Sequence, residues 1–159
     1  MLKKLYLTTI FLICFSSSID GKYQSKKEIV SISSGTSFGM CMTYCRRSIN
    51  ITTHPYKLLA IKQPNSVEQQ QQYPIVQQQY PYSAQQWNRL LSLVNIKKFL
   101  SLDERIGCPD CADGGAEWIQ IDWPQSTKIV TFEYQKTIEG FDRFIKHLRQ
   151  LREQTVNLI

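Results

Sequence analysis

Two strand-like runs follow each other closely in AEWIQIDWPQSTKIVTFEY, residues 116–134. Residues 116–123 and 127–134 are rich in β-branched and aromatic residues, and in the second run Val130, Phe132 and Tyr134 recur at every second position. That period of two is typical of β-strands with one buried face. Residues 124–126, Pro-Gln-Ser, lie between the two runs and predict a tight turn. The stretch is therefore expected to form a β-hairpin.

Helical periodicity flanks this hairpin on both sides. Ser83 and Gln86 have the spacing of a capping box, which predicts that a helix starts at Ser83. A second short helix is predicted over residues 96–102, and the clearest helix over residues 138–153. The apolar stripe of this last helix consists of Ile138, Phe141, Phe144, Ile145, Leu148 and Leu151.

Three further strands are expected before the first helix. Residues 28–33 are β-branched and alternate weakly, whereas residues 34–40, SGTSFGM, are rich in serine and glycine and predict a loop. Residues 46–52 and 56–62 alternate well, so they predict a second hairpin.

This order of elements is typical of a single α+β domain over residues 28–153, with a short tail at residues 154–159. We expect an antiparallel sheet of about five strands, in the order β-β-β-α-β-β-α, with the helices packed on one face. Residues 64–82 hold seven glutamines and three prolines without an apolar period. That composition predicts a flexible low-complexity insertion in the domain.

The N-terminus indicates export. Lys3 and Lys4 precede an apolar run, and small serines follow it, which is the layout of a signal peptide over residues 1–18. Residues 19–27 would then be a polar leader. Cys14 is an alternative site for a lipid anchor, although Ile13 stands where such sites require a small residue.

Charge and hydropathy restrict the partners of the mature chain. Cleavage after residue 18 leaves seventeen basic and thirteen acidic side chains, a formal charge of +4. This excess is small, and no basic run with interleaved aromatics accompanies it, so nucleic-acid binding is not expected. No transmembrane helix is expected in the mature chain. The sequence names no partner, and another envelope or extracellular protein fits the predicted compartment, periplasmic or secreted.

Four cysteines remain after cleavage: Cys41, Cys45, Cys108 and Cys111. An even number in an exported chain favours disulfides. If the two pairs lie in neighbouring loops, bridges between the pairs would each close about 60 residues, and such bridges stabilise more than short ones do. We therefore expect cross-links between the pairs, although four cysteines allow three pairings.

Two alternatives use the same sulfurs. All four cysteines could form a structural zinc site, although Cys41 and Cys45 are spaced one residue wider than in the usual knuckle. Cys108 and Cys111 could instead act as a thiol-disulfide oxidoreductase. Asp110 and Asp113 would oppose that role, because negative charge raises the pKa of a nearby thiol.

No other catalytic set is evident, so the sequence favours a non-catalytic binding or envelope-associated protein without a cofactor. A binding site is expected where two glycine-containing loops flank the cysteines. The candidate residues are Phe38, Gly39, Tyr44, Asp110, Asp113, Gly114 and Gly115. Asn50 begins a glycosylation sequon, and the three tryptophans are expected to pack in the core or at its edge.

The pattern Gly35, Phe38-Gly39-x-Cys41-x-x-Tyr44 resembles a family of small exported bacterial domains of unknown function. Their hallmark is a Gly-x-Cys-Phe-Gly-x-Cys-Pro-x-Tyr stretch between two N-terminal strands. The resemblance implies export and an α+β domain over most of residues 28–153, without implying an activity. Ser37 and Met42 depart from the pattern, standing where the family has a cysteine and a proline.

Overall fold

The computed structural model describes residues 25–159, which form one mixed β-sheet and three α-helices. The strands are β1 (Ser31–Ser37), β2 (Arg46–Thr53), β3 (Tyr56–Gln63), β4 (Val76–Pro81), β5 (Arg105–Ile106), β6 (Ala116–Trp123) and β7 (Ser126–Glu133). The helices are α1 (Ala84–Ser92), α2 (Ile96–Leu100) and α3 (Asp142–Val156). The predicted signal peptide and Cys14 lie outside the described residues.

The sheet has seven strands in the order β4-β3-β2-β1-β6-β7-β5. All neighbouring strands are antiparallel except β5 and β7, which run parallel. The α+β class is confirmed, whereas the expectation of five strands in a purely antiparallel sheet is wrong. The additional strands are the two edges, β4 and β5.

Strand β1 is longer than its sequence suggested and lies at the centre of the sheet. We predicted a strand over residues 28–33 followed by a loop, but β1 continues to Ser37. Its whole length pairs with β2 on one side and with β6 on the other. Pairing on both edges therefore overrides the turn preference of the Ser-Gly-Thr segment.

The glutamine-rich segment also joins the sheet. We expected no regular structure over residues 64–82, but Val76–Pro81 forms edge strand β4 against β3, and Glu68–Gln71 forms a 3-10 turn. An edge strand can pair through its backbone hydrogen bonds even where its side chains are polar and exposed. Three successive glutamines can therefore be accommodated there without an apolar period.

The two predicted hairpins are confirmed as β2–β3 and β6–β7. The capping box of α1 is confirmed as well, since the Ser83 hydroxyl accepts from the Gln86 N–H at 3.1 Å and the Gln86 side chain accepts from the Ser83 N–H at 2.8 Å. Helix α3 begins at Asp142 rather than near residue 138. Gly140 has a φ of +81°, which is incompatible with a continuous helix before that point.

The buried apolar side chains form a cluster between one face of the sheet, here called the helix face, and the three helices. Alternate residues of β1, β2, β3, β6 and β7 point into it. They include Ile32, Ile49, Ile51, Leu58, Ile119, Ile121, Val130 and Phe132. Packing of the helices on one face is thus as expected, and the opposite side of the sheet is here called the outer face.

A buried ion cluster lies at one end of this core. Glu117 of β6 is 2% exposed and accepts hydrogen bonds from Arg149 and Arg152 of α3. Arg152, itself 4% exposed, also donates to the Ser34 hydroxyl on β1 at 2.8 Å. The Gln135 N–H donates to the same carboxylate at 3.0 Å. These bonds connect α3 with β1, β6 and the segment after β7.

Replacing Arg152 with methionine should lower the free energy of unfolding by about 3 kcal/mol, because a buried carboxylate would lose one of its two cations. Arg143→Met is the matched control, since Arg143 is exposed on the same helix and should change stability by less than about 0.5 kcal/mol. Urea denaturation followed by tryptophan fluorescence measures both values. Equal losses in the two variants would contradict a stabilising role for the cluster.

Candidate functional site

The topology brings the two cysteine-bearing loops to the same end of the sheet. The first loop, residues 38–45, joins β1 to β2, and the second, residues 107–115, leads into β6. Ser37 pairs with Ala116 where β1 ends and β6 begins. Because β6 is the antiparallel neighbour of β1, the two loops emerge side by side.

The first loop is closed by a disulfide between Cys41 and Cys45, whose Cα atoms are 5.4 Å apart. Cys45 is completely buried, and its carbonyl accepts a hydrogen bond from the Phe38 N–H at 3.2 Å. Met40 and Met42 flank Cys41 and are each 80% exposed. The bridge therefore fixes the base of the loop while two large apolar side chains project from it.

The second loop is closed by a disulfide between Cys108 and Cys111, whose Cα atoms are 5.5 Å apart. Both of these cysteines are exposed. Asp110, Ala112 and Asp113 have φ values between +50° and +62°, a region that non-glycine residues seldom adopt. This left-handed backbone folds the loop tightly.

A carboxylate and a guanidinium outside the Cys108–Cys111 bridge hold the second loop to the sheet. Glu133 of β7 accepts a hydrogen bond from the Cys108 N–H at 3.0 Å. Arg105 of β5 donates to the Pro109 carbonyl at 2.9 Å. The loop is thus anchored to both strands of the parallel edge pair.

The pairing of the cysteines differs from our expectation. Each bridge closes within its own loop, so the expected cross-links between the two pairs are wrong. The Cα separations of 5.4 and 5.5 Å already suit a bridge within each pair. Bridges that close so few residues remove about 2 kcal/mol of chain entropy from the unfolded state, against about 4 kcal/mol for a 60-residue loop.

Noncovalent contacts join the two loops instead. The Gly39 N–H donates to the Asp110 carboxylate at 3.4 Å. The Phe38 ring lies against Gly115, whose φ is +78°, and packs edge-on against Tyr134 with ring centroids 4.8 Å apart. Four of the predicted binding-loop residues are thus brought together: Phe38, Gly39, Asp110 and Gly115.

The other three predicted residues lie apart from this contact. Asp113 and Gly114 are exposed in the second loop and form no hydrogen bond to the first loop within residues 25–159. The Tyr44 ring instead packs against the Tyr73 ring, with centroids 5.9 Å apart, and the Lys62 Nζ lies 4.8 Å from the Tyr44 ring centroid.

The segment between β3 and β4 is a part of the site that sequence reasoning missed. The Asn65 side chain donates to the carbonyls of Phe38 and Gly39 at 2.8 and 3.1 Å, which ties residues 64–75 to the first loop. In the sequence this asparagine is one polar residue in a low-complexity segment, so no local pattern marks it.

Four exposed apolar side chains belong to these two joined segments. They are Met40, Met42, Val67 and Ile75, here called the methionine surface, and they are 80%, 80%, 73% and 46% exposed. Exposed apolar side chains on two joined loops are candidates for an interaction site.

Among residues 25–159, no group of three or more His, Cys, Asp or Glu side chains is arranged to hold a metal ion. None of the helices between residues 25 and 159 is long and apolar enough to cross a membrane. Comparison with protein-family models and with curated proteins gives no match to this chain.

Gly115→Ala should lower the free energy of unfolding by about 2 kcal/mol, because a Cβ would overlap the Phe38 ring and the left-handed φ disfavours alanine. It should also speed hydrogen exchange of the Gly39 amide, which depends on the contact between the loops.

Gly114→Ala is the matched control, since Gly114 is exposed with a φ of −69° and a Cβ there would be 3.1 Å from the Cys111 carbonyl oxygen. It should cost less than about 1 kcal/mol. Urea denaturation and amide exchange compare the two variants, and unchanged Gly39 exchange in the folded Gly115→Ala protein would refute the coupling of the loops.

Proposed function

We propose that this protein is an exported, non-catalytic α+β domain that binds another envelope or extracellular protein through the methionine surface. The observation that carries the proposal is the exposure of Met40 and Met42 on a loop that a disulfide closes. Exposed apolar side chains lose hydration when a partner covers them, and a constrained loop loses little conformational entropy on binding.

The chemistry of the methionine surface favours a protein partner. Methionine side chains are flexible and polarisable, so they fit irregular apolar partner surfaces. Arg46 and Arg47 follow directly after Cys45 and are exposed, so they can provide a polar rim to the contact.

Export is supported by two independent features. The N-terminal pattern is that of a signal peptide, and the domain carries two disulfides, which persist in oxidising compartments. The resemblance of residues 35–44 to small exported bacterial domains points in the same direction and belongs to this proposal.

The intact mass of the protein recovered from its native compartment tests export and disulfide formation together. We expect a chain that starts near residue 19, takes up no alkylating reagent before reduction and takes up four equivalents afterwards. An uncleaved chain with free thiols would overturn the proposal. Free thiols together with about one zinc per chain would instead support the alternative of a structural zinc site.

Site-specific photo-crosslinking tests the binding surface. A photoreactive residue at Met42 should give an adduct of one discrete mass in cells that export the protein, and Met40→Ser should weaken it severalfold. Lys97, exposed on α2, is the control position and should not give that adduct. The same adducts from both positions, or none from Met42, would rule the methionine surface out as the binding site.

One observation favours a second candidate function, thiol-disulfide exchange, because both Cys108 and Cys111 are exposed and accessible to a substrate. The surroundings of the pair oppose that role. A 3-10 turn rather than an α-helix starts at Cys111, so no helix dipole stabilises a thiolate, and Glu133 lies beside the Cys108 amide.

Insulin reduction measures this candidate activity directly. We expect the wild-type protein and Cys108→Ser to give the same background rate. A wild-type rate well above that of Cys108→Ser would make the oxidoreductase the better interpretation.

A further inference from the structure

The outer face of the sheet carries a groove of about 400 Å³ beside the first cysteine loop. Strands β1, β2, β3, β6 and β7 contribute to it. Its volume is within the range of about 300–1,000 Å³ typical of small-ligand sites. A row of paired residues crosses the groove from β2 to β7. It consists of Ser48 on β2, Gly35 on β1, Trp118 on β6 and Thr131 on β7.

Trp118 forms a flat apolar platform in the groove. Trp118 and Gly35 are directly opposite in the pairing of β6 with β1, and the indole ring lies across Gly35, where any Cβ would overlap it. Trp87 and Trp123 are 4% and 5% exposed, whereas Trp118 is only partly buried. We expected all three tryptophans to serve packing alone, but an indole supported by a glycine on the outer face can also support a ligand.

Hydrogen bonding divides the outer face into two halves. At the far end from the cysteine loops the polar side chains satisfy one another, since Asp122 accepts from Ser31, Gln120 and Thr127. Around Trp118 the situation is the reverse. Four neutral side chains of the groove that lie on the outer face make no side-chain hydrogen bond within residues 25–159: Ser37, Ser48, Gln63 and Thr131.

The charge of the groove is positive. Arg46 lines its outer-face side, whereas the pairing of Arg47 with Thr36 places the Arg47 side chain on the helix face. No Asp or Glu is among the described residues that line the groove, and Arg46 forms no ion pair within residues 25–159. Guanidinium groups bind carboxylates in a bidentate manner, and they do so more strongly than they bind neutral oxygens.

We propose that this groove binds an acidic oligosaccharide, one whose sugar rings carry carboxylates. The apolar face of a sugar ring would stack on Trp118, the hydroxyl and amide groups would pair with sugar hydroxyls, and Arg46 would bind a carboxylate. A nucleic acid could also stack on the indole, but its affinity depends on several phosphate contacts, and a single arginine on this face offers few.

This inference goes beyond the proposed function, because the groove is on the outer face and the methionine surface belongs to the loops. Calorimetric titration of the mature protein with galacturonate oligosaccharides of four to six sugars tests it. The comparison ligands are neutral glucose oligosaccharides of the same length and a short oligothymidylate.

We expect saturable binding of one galacturonate oligosaccharide per chain, at least tenfold tighter than the neutral sugar and weaker at higher salt. Arg46→Gln should weaken binding about tenfold, the scale of one charge-assisted hydrogen bond. Trp118→Leu should weaken it about fivefold. Arg143→Gln removes an exposed charge from α3 and should leave the affinity unchanged.

Three outcomes would overturn the inference: no saturable binding to the acidic sugar, equal affinity for the neutral sugar, or tighter binding of the oligothymidylate. An equal loss in Arg46→Gln and Arg143→Gln would also overturn it, since that pattern reflects net charge alone. Adducts from position 42 should persist in the Trp118→Leu protein, because Trp118 belongs to the groove alone, so failure at the groove is distinguishable from failure at the methionine surface.

Discussion

Strand β1 organises the whole sheet, because its backbone is hydrogen-bonded along both of its edges. All seven residues of Ser31–Ser37 pair with β2 and with β6. That pairing places the start of β2 and the start of β6 beside the end of β1. It therefore brings together two cysteine loops that are about 70 residues apart in the chain, without any covalent bond between them.

The small side chains of β1 give the two faces of the sheet different chemistry. On the helix face, Ser34 leaves room for the buried Arg152 guanidinium and accepts a hydrogen bond from it. On the outer face, Gly35 leaves room for the Trp118 ring. The neighbours Glu117 and Trp118 on β6 consequently have opposite roles, one in a buried ion cluster and one in a partly exposed groove.

The two disulfides shape individual loops rather than joining distant parts of the chain. Cys41–Cys45 holds the base of the loop that presents Met40 and Met42, and Cys108–Cys111 closes a turn that already has left-handed backbone. Hydrogen bonds and ring contacts position one loop against the other. The Cys41–Cys45 bridge therefore constrains the loop that carries Met40 and Met42, whereas noncovalent contacts fix the position of that loop relative to the second one.

Elements with a clear local pattern could be predicted from the amino-acid sequence. The β2–β3 and β6–β7 hairpins follow from period-two alternation, α1 from its capping box, and α3 from its apolar stripe. Four other features became visible only in the folded protein: the extent of β1, the addition of β4, the pairing of the cysteines and the position of Trp118 over Gly35. Each of these depends on which strands become neighbours, and strand neighbours are set by contacts between residues far apart in the chain, which local composition does not encode.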